Sequence, residues 1–142
     1  MRSRLFLTLA IAALTSVPAF SVCGLTASVP FSFNAGDRSL AAGEYRVDCG
    51  GAASLGVMRF HSVGERSTVF INTTPENPPS PDAVQSGEAR LVFHKYGDRY
   101  FLAKVWTPGL EFVRKLPMSK TERELASSTI PREAISVAGR TK

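Results

Sequence analysis

Two apolar segments that flank Gly97-Asp98 constrain the fold of this chain more than any other feature. Residues 88–96 and 99–106 are rich in aromatic and β-branched residues, and the Gly-Asp pair suits a type I′ or II′ turn because glycine tolerates positive φ. The predicted register pairs Lys95 with Tyr100, His94 with Phe101, Phe93 with Leu102 and Val92 with Ala103. One face then carries Leu91, Phe93, Leu102 and Trp106, and the other carries Val92, His94, Phe101 and Val105. A hairpin that is apolar on both faces is covered on both sides or lies centrally in a closed or curled sheet.

The rest of the chain repeats this alternation of apolar and polar residues with a period of two. Strands are predicted at residues 29–33, 44–48, 57–62, 67–73 and 110–116, with a turn signal after each. The proline-rich segment 74–87 is predicted to be a long loop, because its prolines cannot donate to a ladder. Such spacing predicts an all-β fold, a single small antiparallel barrel or sandwich of about six to eight strands.

The C-terminal part of the chain carries one helix signal. Ser119 and Glu122 fit a capping box, in which each side chain accepts a hydrogen bond from the other residue's backbone N–H. The box predicts one short C-terminal helix over residues 120–127, with Leu125 docked on the sheet. Residues 128–142 have weak patterning and are predicted to form a flexible tail. The β-domain is therefore assigned to residues 22–127.

The first 21 residues have the layout of a secretory signal peptide. Arg2 and Arg4 precede an uncharged apolar stretch at residues 5–14, and Ala19 and Ser21 are small residues that favour a cut after Ser21. The apolar stretch is too short to span a bilayer as a permanent helix. We therefore expect residues 1–21 to be removed and the mature protein to be secreted or periplasmic; a retained anchor is the alternative.

Charge and cysteine content narrow the classes of partner and compartment. The chain has 17 Lys and Arg against 12 Asp and Glu. Loss of Arg2 and Arg4 leaves 15 basic residues and a net charge of +3. That charge is too mild for a dedicated nucleic-acid binder, so no nucleic-acid partner is expected.

Cys23 and Cys49 both remain after cleavage, and an even count in an oxidising compartment predicts a disulfide between them.

Three blocks of the sequence carry a resemblance to a known family. They are Val29–Phe33 with Gly36-Asp37, Ala42–Tyr45 and Val47, then Leu91–Leu102 with Val105-Trp106, and finally Leu116-Pro117, Ser119 and Glu122–Leu125. Together they resemble a family of short secreted β-proteins that occurs in many copies in some soil bacteria. The resemblance implies the fold and the compartment and implies no particular activity. The two cysteines are not part of its pattern.

Few residues are candidates for chemistry, and no catalytic residue is predicted. His61 and His94 are the only histidines, and no CxxC, HxH or HExxH spacing occurs, so no metal or cofactor is expected. A copper or zinc site of His61 and His94 is a minor alternative, which requires residues 57–62 to lie beside the hairpin. Minor site candidates are His94, Asp98, Arg99 and Trp106, all in the hairpin. His94 is interpreted as a hydrogen-bonded histidine, and Asp98 as a turn residue that binds its own backbone.

The sequence thus favours a secreted, non-catalytic binding or envelope-associated module. Its ligand-binding residues are not identified by any motif, and the partner classes that remain are an envelope protein, a polysaccharide or a lipid surface. One alternative is a β-barrel carrier of a small apolar ligand. A second alternative is a hydrolase that uses His94 with Asp98 or Glu44.

Overall fold

The computed structural model describes residues 24–49, 56–77, 88–107 and 112–141. The expected signal peptide, residues 1–21, lies outside these ranges. The strands are β1 Gly24–Val29, β2 Phe33–Ala35, β3 Arg38–Leu40, β4 Gly43–Cys49, β5 Val57–Ser62, β6 Thr68–Asn72, β7 Thr74–Glu76, β8 Arg90–Tyr96, β9 Arg99–Trp106, β10 Val113–Lys115 and β11 Arg132–Thr141, and the helix is α1 Lys120–Ala126. The all-β prediction and the short C-terminal helix are confirmed.

The strands form one nearly closed, barrel-like sheet. Nine of them follow the order β3-β2-β9-β8-β11-β1-β4-β5-β6, while β10 joins β9 and carries β7. The described residues thus hold 11 strands in a mixed sheet, and the prediction of six to eight antiparallel strands was wrong. The mixed character comes from β2, which pairs with β9 in parallel through Asn34 and Phe101. The count rises because β3 and β7 have only three residues each, too few for a periodic pattern, because the strand predicted at residues 29–33 is divided between β1 and β2, and because β11 was predicted as a tail.

Two proline positions account for local differences from the prediction. The predicted strand at residues 29–33 is interrupted after Val29, because Pro30 cannot donate to a ladder, and β2 resumes at Phe33. Residues 74–76, predicted as loop, form β7, which pairs only with β10 in the described part of the chain. Pro75 is tolerated there because one side of an edge strand needs no donor.

The hairpin of β8 and β9 has the predicted turn and most of the predicted register. Gly97 has φ +62°, the conformation that favoured glycine in the turn. His94 pairs with Phe101 and Phe93 pairs with Leu102 as predicted. A β-bulge then shifts the register, so that Val92 pairs with Lys104 instead of Ala103. Because a bulge inserts one extra residue, the side chains beyond it on β9 point to the opposite faces from those predicted.

The bulge decides which side chains of β9 face the core. Leu91 now pairs with Val105, and both are buried in the main core, whereas Trp106 pairs with Arg90 and is half-buried. The predicted assignment of Trp106 to the face of Phe93, and of Val105 to the face of His94, was therefore wrong. The prediction that aromatic residues on both faces are covered is confirmed, because Phe93 and Phe101 are 0 % and 2 % exposed.

Aromatic side chains fill the interior of the sheet. The ring of Phe33 meets those of Phe93 and Tyr45 edge to face, with centroids 5.2 and 5.4 Å apart. The largest side chains buried in this core are Tyr45, Phe33, Phe60, Phe93, Met58, Leu91, Leu102, Val29, Val47 and Val105. Edge-to-face contacts of this kind add to the free energy gained from burial. These packed side chains form the core of the described sheet.

The C-terminal segment is an integral strand, which corrects the prediction of a flexible tail at residues 128–142. Strand β11 pairs with β8 from Arg132 to Ala138 and with β1 from Gly139 to Thr141. It thereby joins the hairpin to the N-terminal half of the sheet. A Cβ at Gly139 would lie 3.1 Å from Cδ1 of Leu25, so glycine permits the close approach of β11 to β1. The sequence of β11 shows little hydrophobic periodicity, because its apolar residues are small or only half-buried. Backbone pairing with a neighbouring strand on each edge stabilises it.

The predicted disulfide falls at the border of the described residues. Gly24 pairs with Asp48, and Cys49 ends β4 opposite Met58, whereas Cys23 lies outside the described ranges. No disulfide occurs within those ranges. The Cys23–Cys49 disulfide therefore stays a prediction.

Candidate functional site

A histidine and a glutamate from distant parts of the chain meet on the outer face of the hairpin. His94 lies in the middle of β8, and Glu122 lies in the first turn of α1. Nδ1 of His94 is 3.0 Å from Oε1 of Glu122, and the two side chains are 19 % and 4 % exposed. A carboxylate so deeply buried needs a partner, and the contact also fixes the orientation of the imidazole ring.

This contact changes the role expected of Glu122. The Ser119 hydroxyl accepts a hydrogen bond of 3.1 Å from the backbone N–H of Glu122, so half of the predicted capping box is confirmed. The Glu122 carboxylate contacts His94, where the prediction had it bind the Ser119 backbone. Glu122, the buried residue of α1, therefore docks the helix on the sheet, whereas Leu125 is only half-buried.

The His94–Glu122 contact borders a pocket of about 190 Å³, which we call the His94 pocket. Its walls come from β8, β9, β10, β11 and the segment that leads into α1, and they comprise His94, Ala103, Lys104, Lys115, Leu116, Met118, Glu122 and Arg132. Nζ of Lys104 lies 3.1 Å from Oε1 of Glu76 on β7, and Nζ of Lys115 lies 3.9 Å from Oε2 of the same carboxylate. The pocket therefore has basic side chains on three of its walls, and Ala103, Leu116 and Met118 supply apolar surface between them.

Tyr96 lies two residues beyond His94 on the same face of β8 and is 1 % exposed. Burial raises the pKa of its hydroxyl, and the nearby charge of Glu122 raises that pKa further, while Arg132 acts in the opposite direction. The Tyr96 hydroxyl has no hydrogen bond in the described part of the chain. A buried hydroxyl that lacks a partner is costly, which makes this region of the fold unusual.

The geometry gives His94 a carboxylate partner, but it is neither of the two that the hydrolase hypothesis named. Asp98 lies in the turn at the tip of the hairpin, and Glu44 lies on β4, which β1 and β11 separate from β8. Glu122 takes their place. None of the described residues that line the His94 pocket carries a hydroxyl or a thiol, so its described lining offers no serine, threonine or cysteine as a nucleophile.

The other three candidates of the hairpin do not join His94. The guanidinium of Arg99 lies 5.9 Å from the ring centroid of Phe101, and the guanidinium of Arg90 lies 5.5 Å from that of Trp106. These are cation–π contacts at opposite ends of the hairpin. None of Asp98, Arg99 and Trp106 lines the His94 pocket.

A second polar region covers the outer face of five neighbouring strands. Residue pairing places one outward-facing side chain of each strand in a single line, in the order Arg140 on β11, Thr26 on β1, Arg46 on β4, His61 on β5 and Thr68 on β6. We call this line the transverse row. Neighbouring strands lie about 4.8 Å apart, so four spacings give the row a length of about 19 Å.

Polar groups and one aromatic ring flank the transverse row. Arg59 donates to Asp48 over 2.7 Å, and Nδ1 of His61 lies 2.9 Å from the Thr68 hydroxyl. Phe70, two residues beyond Thr68 on β6, is 68 % exposed. Two shallow depressions of about 450 and 420 Å³ lie along the row, one on its β6 side and one on its β11 side. The face is thus an open, polar surface with one exposed ring at its end.

Sequence reasoning singled out only His61 of this row, and no motif could have found the others. Four of the five residues lie between positions 26 and 68 and the fifth is residue 140, and only the register of four strand pairs brings them into line. His61 and His94 lie on different parts of the sheet, and no group of three or more His, Cys, Asp or Glu that could hold a metal occurs among the described residues.

Comparisons with known proteins do not indicate a function. No protein family, curated protein or solved structure matches the chain. No helix in the described ranges is long and apolar enough to cross a membrane.

Proposed function

We propose that this protein is a secreted, non-catalytic binding module whose ligand is an acidic polysaccharide of the cell envelope or its surroundings. The binding surface is the outer face around the transverse row. The observation that carries the proposal is the row itself, in which Arg140, Thr26, Arg46, His61 and Thr68 follow one another across five strands.

The shape of the row suits an extended chain. Its length of about 19 Å crosses the strands at right angles, and its side chains are donors or acceptors of hydrogen bonds. The two depressions along the row are shallow and open, so a polymer can bind to this surface from the side. A small ligand would instead favour a deeper, more enclosed pocket.

The charges of the row favour an acidic ligand. Arg59 is paired with Asp48, but Arg46 and Arg140 have no ion pair within the described ranges. An arginine fork binds a carboxylate or sulfate group through two parallel hydrogen bonds. Because the two arginines stand two strands apart, about 10 Å, they can bind separate acidic groups of one chain.

Phe70 provides an apolar platform beside these polar groups. An exposed aromatic ring can pack against the apolar face of a sugar ring while its neighbours bind the hydroxyl groups. A lipid surface is less suitable, because the large exposed apolar residues of the described chain are scattered: Val63, Phe70, Phe112 and Ile130. An interfacial site would need a continuous apolar face.

The first prediction concerns binding to polygalacturonate, with neutral dextran as the comparison polymer. The double variant Arg46→Gln/Arg140→Gln should bind polygalacturonate about tenfold more weakly, because each lost charge-assisted hydrogen bond is worth about 1.5–3 kcal/mol before solvent screening. Phe70→Ala should also weaken binding. Isothermal titration calorimetry at low salt measures both effects.

Matched controls separate this surface from general charge and apolar effects. Arg38→Gln/Arg123→Gln removes the same charge from exposed sites outside the row, and Phe112→Ala removes another exposed phenylalanine. Both controls should bind as the wild type does. Equal losses in the controls would contradict the proposal, and so would wild-type binding to anionic lipid vesicles or to an envelope protein without binding to polygalacturonate.

A second prediction concerns compartment and covalent structure. Secreted protein should start at Val22, because Ala19 and Ser21 favour that cut. Cys23 and Cys49 are the two cysteines of the chain, and an even count in an oxidising compartment favours a disulfide between them. The intact mass should therefore match residues 22–142 less two hydrogens. A chain that retains Met1 would point to an anchor, and two alkylatable thiols would refute the disulfide.

A further inference from the structure

The His94 pocket is separate from the transverse row and has its own charge pattern. Its cationic side chains are Lys104 on β9, Lys115 on β10 and Arg132 on β11. The carboxylates that face them are Glu122, which contacts His94, and Glu76, which contacts Lys104. Three fixed cations therefore face two carboxylates.

We propose that the His94 pocket binds a small oxyanion, a carboxylate or a sulfate group. The proposal is independent of the polysaccharide surface. Arg132 and Lys115 supply donors from two walls of the pocket, and Lys104 adds a third positive charge.

The size and burial of the pocket fit this ligand. A volume of about 190 Å³ equals roughly six water molecules at about 30 Å³ each, which holds an oxyanion together with a few waters. Because the pocket is partly buried, the charges of its side chains are screened less than they would be in bulk water.

Inorganic sulfate is the probe. In an NMR titration of the ¹⁵N-labelled mature protein, the His94 ring and Arg132 signals should shift saturably. Arg132→Gln should lower the affinity for sulfate about tenfold, while Arg38→Gln leaves it unchanged.

Lys115→Gln guards against a folding defect, because Lys115 is 53 % exposed and its loss does not disturb the core. It should weaken sulfate binding about threefold at unchanged thermal stability. Shifts that do not saturate, or an affinity that Arg132→Gln and Lys115→Gln leave unchanged, would mean an adventitious ion only and would overturn the proposal. Saturable shifts confined to Arg46 and Arg140 would likewise overturn it.

Discussion

A chain truncated after Ile130 should fail to fold. Strand β11 contributes seven residue pairs to β8 and three to β1, so its removal exposes two strand edges in the middle of the sheet. The loss also uncovers Leu25 and Ala89, which lie within reach of Gly139. Domains of this size are stable by roughly 5–15 kcal/mol, and the loss of a central strand removes a large part of that.

Circular dichroism and the fluorescence of Trp106, the only tryptophan, report the folding of the truncated chain. We expect no cooperative thermal transition. A chain that lacks only Lys142 is the control and should unfold as the full-length protein does. A cooperative transition near the wild-type temperature in the truncated chain would mean that residues 131–142 are dispensable, as a flexible tail would be.

Phe93→Ala should cost about 3–5 kcal/mol of unfolding free energy, the range for aromatic residues removed from a core. Phe93 is fully buried, and its ring contacts those of Phe31 and Phe33 at centroid distances of 5.0 and 5.2 Å. Phe101→Ala should be comparably destabilising, although Phe101 lies on the opposite face of the hairpin against Tyr96.

Urea denaturation of the two variants measures these free energies. Phe112→Ala, at a position that is 49 % exposed, serves as the matched control and should change stability by less than about 0.5 kcal/mol. A nearly neutral effect of Phe101→Ala would mean that α1 and the preceding segment do not cover the outer face. The docking of α1 through Glu122 and His94 would then be in doubt.

The hairpin was predictable because its information is local. Gly97 sets the turn, and two-residue turns fix the register of the pairs next to them. The predicted register failed at Ala103, where the bulge begins. Whether a bulge forms there depends on how the whole sheet closes, which the local sequence does not determine. The one inserted residue places Val105 on the face predicted for Trp106, and Trp106 on the face predicted for Val105.

The strands that the sequence did not predict and the His94–Glu122 contact have a common explanation. Both depend on partners that are far away in sequence. Strand β11 has only two half-buried apolar residues, Ile135 and Val137, and is held by its neighbours on both sides. His94 and Glu122 were each singled out, one as a hydrogen-bonded histidine and one as a capping residue. Their contact spans 28 residues, and local patterns cannot anticipate it.

Binding along the transverse row is the central claim, and chemical-shift mapping tests it directly. The ¹⁵N-labelled mature protein is titrated with oligogalacturonate, and the shifted amide and side-chain signals are located on the structure. We predict saturable shifts along the row, at Arg140, Thr26, Arg46, His61 and Thr68, and at neighbouring Phe70. An absence of saturable shifts on this face, or shifts confined to another surface, would contradict the proposed function.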